Sequence, residues 1–114
     1  MLTLNLSDVP NQSFSTQLLS KRFTFHIKLA NGIMIADITC DNTPLVTGER
    51  ILPNQPIIAY PRLECGNFIL QTEDDDLPDW QKFGKTQQLI YLTPEEIMSL
   101  RQQKGVDKKG VDNG

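Results

Sequence analysis

The chain has few side chains of the types that catalysis requires. His26 is the only histidine, and the alternating pattern around it predicts that it faces Asp37 on a neighbouring strand, as a general base faces its orienting acid in a Ser-His-Asp triad. No serine lies in the glycine-flanked turn that exposes a nucleophile, and no glycine-rich phosphate loop or zinc spacing is present. We therefore predict a protein that is not an enzyme, with His26 and Asp37 as a surface cross-strand pair. A catalytic use of this pair is the alternative.

Acidic side chains are concentrated in one stretch, Glu73-Asp74-Asp75-Asp76, which Asp79 follows. Carboxylates can ligate Ca²⁺, but this run lacks the spacing of a calcium-binding loop, and adjacent carboxylates on an extended chain diverge. We expect a solvated loop without a metal, or an electrostatic docking patch for a basic partner. Trp80, next in the chain, is expected either to close the end of a β core or to anchor an interface or a sugar.

Cys40 and Cys65 are the two cysteines, and they do not form a C-x-x-C pair. The N-terminal residues lack the basic-then-apolar pattern of an export signal, so we expect both thiols to be reduced. Cys40 falls at a core-facing position of its strand, and nothing near Cys65 in sequence indicates an activated thiolate. No cofactor or metal is predicted.

The composition is that of one globular domain: 114 residues, of which 39% are hydrophobic and 22% charged. The net charge is -3, and five of the acids lie between residues 73 and 79. Without those five, 11 basic residues stand against 9 acidic ones. This balance predicts no contact with nucleic acid, and no apolar run approaches the roughly 18 residues of a membrane span.

Short apolar or alternating segments separated by turn residues favour an all-β fold, either a small antiparallel β-barrel or a β-sandwich. We predict a β domain over residues 1–92, a short C-terminal helix within 93–104 and a flexible tail over 105–114. The helix is expected at about 94–103, because Thr93-Pro94-Glu95-Glu96 has the pattern of a capping box. The predicted strands are 2–6, 13–19, 21–30, 33–40, 46–52, 57–60, 67–72 and 88–92.

The strongest local pattern is a hairpin over residues 21–40. Asn31-Gly32 predicts a two-residue type I′ turn, which pairs residues whose numbers sum to 63. That register puts the apolar residues from Phe23 to Leu29 on one face, and it predicts the ion pairs His26–Asp37 and Arg22–Asp41 on the other. Ile33 and Ile35 fall on this polar face, so they are covered either by another segment of the chain or by a partner subunit.

Several segments are together similar to one known family. The run from Leu4 to Phe14 resembles the opening of the baseplate plug family of contractile-tailed bacteriophages. The likeness extends over about residues 3–92. Further matching segments follow in chain order: 21–29, 36–38, 45–48, 50–52, 56–58, 66–70 and 89–92.

This resemblance implies a non-catalytic virion protein of the tail baseplate, made in the host cytoplasm. It implies a plug near the tail axis that contacts hub, spike and tube proteins, with several copies around the axis. The alternative is a small β-barrel module that binds a sugar or Ca²⁺ through the 73–83 loop. The residues predicted to contact neighbours are Leu4, Leu6, Phe14, Ile33, Ile35, Asp74, Asp75, Asp76 and Trp80.

Overall fold

The computed structural model describes residues 1–59 and 65–99, and in this part the chain forms two antiparallel sheets. One sheet has the strand order β2-β3-β4-β5 and the other the order β1-β7-β6. The all-β prediction is confirmed in the form of a sandwich, since the sheets do not close into a barrel. The strands are β1 (Leu2–Leu4), β2 (Gln12–Leu18), β3 (Lys21–Ala30), β4 (Ile33–Cys40), β5 (Thr43–Arg50), β6 (Asn67–Gln71) and β7 (Gln88–Leu92).

The predicted β3–β4 hairpin is confirmed residue by residue. The pairs run from Ala30 with Ile33 to Phe23 with Cys40, and positive φ angles at Asn31 (52°) and Gly32 (77°) fit the type I′ turn. The register is thus set by a turn that only such residues adopt without strain.

One predicted ion pair of this hairpin is wrong. The Nζ of Lys21, and not the guanidinium of Arg22, lies 3.9 Å from the Asp41 carboxylate, which also accepts the backbone N–H of Arg22 at 2.9 Å. The reason is that Asp41 has left the strand: its φ is 48°, and with Asn42 (67°) it forms the turn into β5. Strand alternation therefore no longer dictates where its side chain points.

The core lies between the two sheets and is built on aromatic rings. Phe23 and Phe25 of β3 meet Phe68 of β6 edge-on, with ring centroids 5.3 and 4.9 Å apart. All three rings are at most 1% exposed. Edge-to-face packing of this kind is favourable beyond simple burial, so these contacts join the sheets.

Two predicted strands differ from the observed ones, while the others agree within two residues at each end. The strand expected at 46–52 is β5, which begins at Thr43 and ends at Arg50. The strand expected at 57–60 is absent from the described residues, which end at 59 on this side. Instead Pro53 and Pro56 make isolated bridges to β6. Proline has no N–H to donate, so this segment cannot form a continuous ladder.

The C-terminal helix begins as the capping box predicts, and residues 94–99 are helical. The Glu96 N–H donates to the Thr93 hydroxyl (3.2 Å), and the Thr93 N–H donates to the Glu96 carboxylate (3.0 Å). The rest of the expected helix and the expected tail at 105–114 lie outside the described residues, so the division into domain, helix and tail stays a prediction. No helix within 1–59 or 65–99 is long and apolar enough to cross a membrane.

Candidate docking surface

The loop between β6 and β7, residues 72–87, is held in one shape by a buried glutamine. Gln87 is 0% exposed. Its Oε1 accepts the backbone N–H of Asp79 at 2.9 Å, and its Nε2 donates to the carbonyl of Leu77 at 2.9 Å. A buried amide needs partners for both ends, and here both partners belong to the loop. Gln87 thus fixes the path of residues 77–79.

The start of the same loop is held by Asn54. Its Oδ1 accepts the Thr72 N–H at 2.9 Å, and its Nδ2 donates to the Asp75 carboxylate at 2.8 Å. Asp74 and Asp75 have positive φ angles of 53° and 55°, which aspartate tolerates better than most residues. The acidic run therefore coils into a 3₁₀ turn at Glu73–Asp75 instead of lying extended.

Part of the acidic charge is paired within the loop. The Lys82 ammonium donates to the Asp76 carboxylate; this hydrogen bond lowers the pKa of Asp76 and raises the pKa of Lys82. Among residues 1–59 and 65–99, no three His, Cys, Asp or Glu side chains converge as a metal site requires. The acidic run in the described loop therefore does not gather three carboxylates around one point.

The loop and the tip of the β3–β4 hairpin line one shallow cleft. Leu77 and Trp80 face it from the loop, and Leu29, Gly32 and Met34 face it from the hairpin. Leu77 is 63% exposed and Leu29 is 40% exposed, while Trp80 is half-buried and packs against the core. We call this cleft, with its carboxylates at Asp76 and Asp79 and the Lys82 ammonium, the hairpin–loop surface.

Two of the residues predicted from sequence, Asp76 and Trp80, meet at this surface. Ile33 is at the start of β4 and 37% exposed, but it does not line the cleft. Leu29 and Leu77 were not predicted. Leu77 could have been found as a lone large apolar residue inside an acidic run. Leu29 falls on the core-facing side of β3 by strand alternation, and only the tertiary structure shows that it lies beyond the edge of the core.

The remaining predicted contact residues lie elsewhere. Leu4 and Leu6 are buried in the chain's own core. Phe14 is half-buried and stacks on Phe25 with ring centroids 4.8 Å apart. Ile35 is half-buried, and Asp74 and Asp75 are exposed. A contact between any of these side chains and another protein stays a prediction.

The His26–Asp37 pair is part of the outer face of the four-stranded sheet. The His26 Nδ1 lies 3.8 Å from the Asp37 carboxylate, which also accepts from the Lys28 ammonium at 3.4 Å and from the Gly48 N–H at 2.5 Å. The Gly48 bond is the main cause that lowers the pKa of Asp37.

This bond lies where the β4–β5 register shifts. Gly48 has a φ of 61°, as the extra residue of a bulge often does. Asp37 therefore fastens an irregular edge strand, which is a structural task.

Comparison with known proteins gives one match. The family model described as "Cyanophage baseplate Pam3 plug gp18" matches residues 1–95. The match includes all seven described strands and the hairpin–loop surface, and it confirms the resemblance found in the sequence. No curated protein matches the chain.

Proposed function

The chain belongs to the phage baseplate plug family, and we propose that it acts near the tail axis as a plug that grips its neighbours through the hairpin–loop surface. The family supports a structural role in the virion baseplate, among other baseplate proteins. The finer proposal is that the neighbours are hub, spike or tube proteins and that several copies surround the axis. The observation that carries it is an exposed cleft in which apolar side chains stand among charged ones, on a loop that the protein itself holds rigid.

Rigidity matters because docking costs less when the contact surface is ordered beforehand. Gln87 and Asn54 hold the loop by hydrogen bonds to its backbone, so little conformational entropy is lost on contact. A plug must also resist deformation, and the aromatic contacts between the two sheets supply that stiffness.

The chemistry of the surface indicates what fits it. Leu29, Leu77 and the accessible part of Trp80 offer apolar area for an anchoring side chain, which is the usual source of affinity at an interface. Lys82 pairs with Asp76 within the cleft, so Asp79 is the carboxylate that favours a partner with a basic residue next to that anchor. We infer a partner surface with an aliphatic or aromatic residue beside Lys or Arg.

Sheet edges offer a second kind of contact. Among the described strands, β2 and β5 each pair on one side only, so their outer edges can accept a strand from a neighbour. Several copies around an axis would multiply such weak contacts into a stable collar.

A matched pair of substitutions tests the surface. Leu77→Asp places a charge in the cleft, whereas Leu19→Asp changes a leucine of similar exposure (57%) in the β2–β3 turn, at the opposite end of β3 from the hairpin tip. Binding of each full-length variant to the purified hub, spike and tube proteins of the same phage is measured by biolayer interferometry.

We expect Leu77→Asp to weaken binding to at least one partner about tenfold or more, the effect of losing an interface anchor, and Leu19→Asp to leave it unchanged. Equal effects of the two variants, or no binding by the unsubstituted chain to any of these proteins, would contradict the proposal.

A further inference from the structure

Two thiols touch inside the core, one from β4 and the other from the segment that leads into β6. Cys40 is the last residue of β4, and Cys65 lies two residues before β6. Their Sγ atoms are 3.3 Å apart, and both cysteines are free and buried. We propose that Cys40 and Cys65 are a modification site, a dithiol that a disulfide-type oxidant converts into a covalent link between the two sheets.

Both cysteines are held in place by their surroundings. Cys40 pairs with Phe23 on one side and with Thr43 on the other. The carbonyl of Cys65 accepts the Tyr91 hydroxyl at 3.1 Å. A disulfide requires the two sulphurs to approach to about 2.05 Å. Since they are already in contact, side-chain rotation can supply most of this change.

The main chain next to Cys65 has little freedom to move away. Gly66 has a φ of 79°, and a Cβ at this position would lie 2.4 Å from the carbonyl oxygen of Leu92. The backbone of residue 66 therefore packs directly on the end of β7. This close approach keeps Cys65 next to Cys40 as long as the sandwich is folded.

The chemistry is thiol–disulfide exchange, and it balances with oxidised glutathione as the oxidant. One cysteine thiolate attacks the S–S bond of glutathione, which forms a mixed disulfide and releases one glutathione thiolate. The second cysteine then attacks the protein sulphur of that mixed disulfide, forms the Cys40–Cys65 bond and releases the second glutathione. The protein loses two electrons and two protons, which end on the two molecules of reduced glutathione.

Burial makes this reaction slow. It raises the pKa of the Cys40 thiol to about 11, so that at neutral pH this cysteine is a thiol and a poor nucleophile. Attack also requires a local opening that admits the oxidant. The pair is therefore stable as a dithiol in a reducing compartment and closes only during prolonged exposure to an oxidising one.

A closed link would stabilise the sandwich. The bond spans 25 residues of sequence and restricts the unfolded chain accordingly. For a domain of this size we expect the midpoint of thermal unfolding to rise by roughly 10 °C. One consequence rests on the proposed function: a baseplate protein is reduced in the host cell and becomes cross-linked after the particle is released.

The test uses the full chain, purified with a reductant, exchanged into oxidised glutathione at neutral pH and sampled over days. Free thiols are alkylated, and the cysteine peptides are identified by mass spectrometry. Cys40→Ala and Cys65→Ala are the matched variants, and thermal unfolding is followed with and without dithiothreitol.

We expect a monomer that loses two hydrogen atoms, a Cys40–Cys65 peptide and the higher midpoint, all reversed by dithiothreitol and all absent from both variants. Three results would overturn the proposal: a stable glutathione adduct on the unsubstituted chain, intermolecular dimers as the main product, or persistent free thiols in the folded chain while the urea-unfolded chain oxidises.

These outcomes do not depend on the baseplate role, because they concern the isolated chain. The thiol state of the protein in released particles tests the second step separately. If aged particles still contain the dithiol while the isolated chain forms the Cys40–Cys65 disulfide, the disulfide chemistry is supported and the cross-linking after release is contradicted.

Discussion

Replacing Gln87 by methionine removes the two hydrogen bonds that shape the hairpin–loop surface and nearly preserves side-chain volume. The Asp79 N–H and the Leu77 carbonyl lose their partner. A fully buried polar group left unpaired costs about 1–3 kcal/mol. These two are partly accessible to water, so we take the lower end for each, about 2 kcal/mol in total. For a domain of this length that corresponds to a fall of about 8 °C in the unfolding midpoint.

The only tryptophan of the chain, Trp80, lies in the same loop and reports on it. In Gln87→Met we expect its fluorescence emission to shift to longer wavelength below the unfolding transition, because the loop loosens before the sandwich melts. The control is Gln88→Met, on the neighbouring strand residue, for which we expect a change within about 0.5 kcal/mol. An unchanged midpoint and unchanged emission in Gln87→Met would refute the view that this glutamine orders the surface.

Three other substitutions test the fold. Gly66→Ala brings a Cβ to 2.4 Å from the Leu92 carbonyl oxygen, and we expect little soluble folded protein on size-exclusion chromatography. The Gly48 hydrogen bond lowers the pKa of Asp37 in the folded protein. The ionised Asp37 carboxylate therefore stabilises the fold fully above the pKa of about 3.9 that it has in the unfolded chain, and this stabilisation is lost as the pH falls through the pKa of the folded protein. Urea unfolding should thus show Asp37→Asn less stable at pH 7 and the difference shrinking below pH 4; a constant difference would be contrary evidence. Thr93→Ala removes the helix cap and should cost about 1 kcal/mol in the same assay, with Ser largely restoring it.

The parts of the fold that sequence predicts best are those in which neighbouring residues constrain each other. In the β3–β4 hairpin, strict alternation and the Asn31-Gly32 turn both specify one register. In the capping box, two residues three positions apart each accept the other's backbone N–H with a side-chain oxygen. Neither feature depends on where the second sheet lies, which is why both could be identified from the sequence alone.

What the sequence did not reveal depends on packing between distant segments. Asn54 reaches across 18 residues to hold the loop, and nothing in its local sequence distinguishes it from other turn asparagines. Gln87 is an ordinary polar residue until β7 is placed beside the loop. The contact between Cys40 and Cys65 likewise requires knowledge of how the sheets face each other, which periodicity does not contain.

The same limit applies to the candidate surface. Sequence reasoning identified Trp80 and the acidic run, because unusual residue types stand out without a structure. It named Leu4 and Leu6 among the contact residues, which stays a prediction, and the structure adds that both pack in the chain's own core. In the sequence, an apolar residue near a terminus has the same pattern whether it packs in the core or contacts a partner. Only the position of the second sheet shows which of these residues the chain itself covers.

The measurement that tests the central claim most directly is a cryo-electron microscopy map of the intact tail tip of a phage that encodes this chain. We predict density for the two-sheet body at the baseplate, close to the tail axis, with the hairpin–loop surface against a neighbouring protein that presents an apolar residue beside a basic one. A map in which the baseplate is complete without this chain would contradict the account.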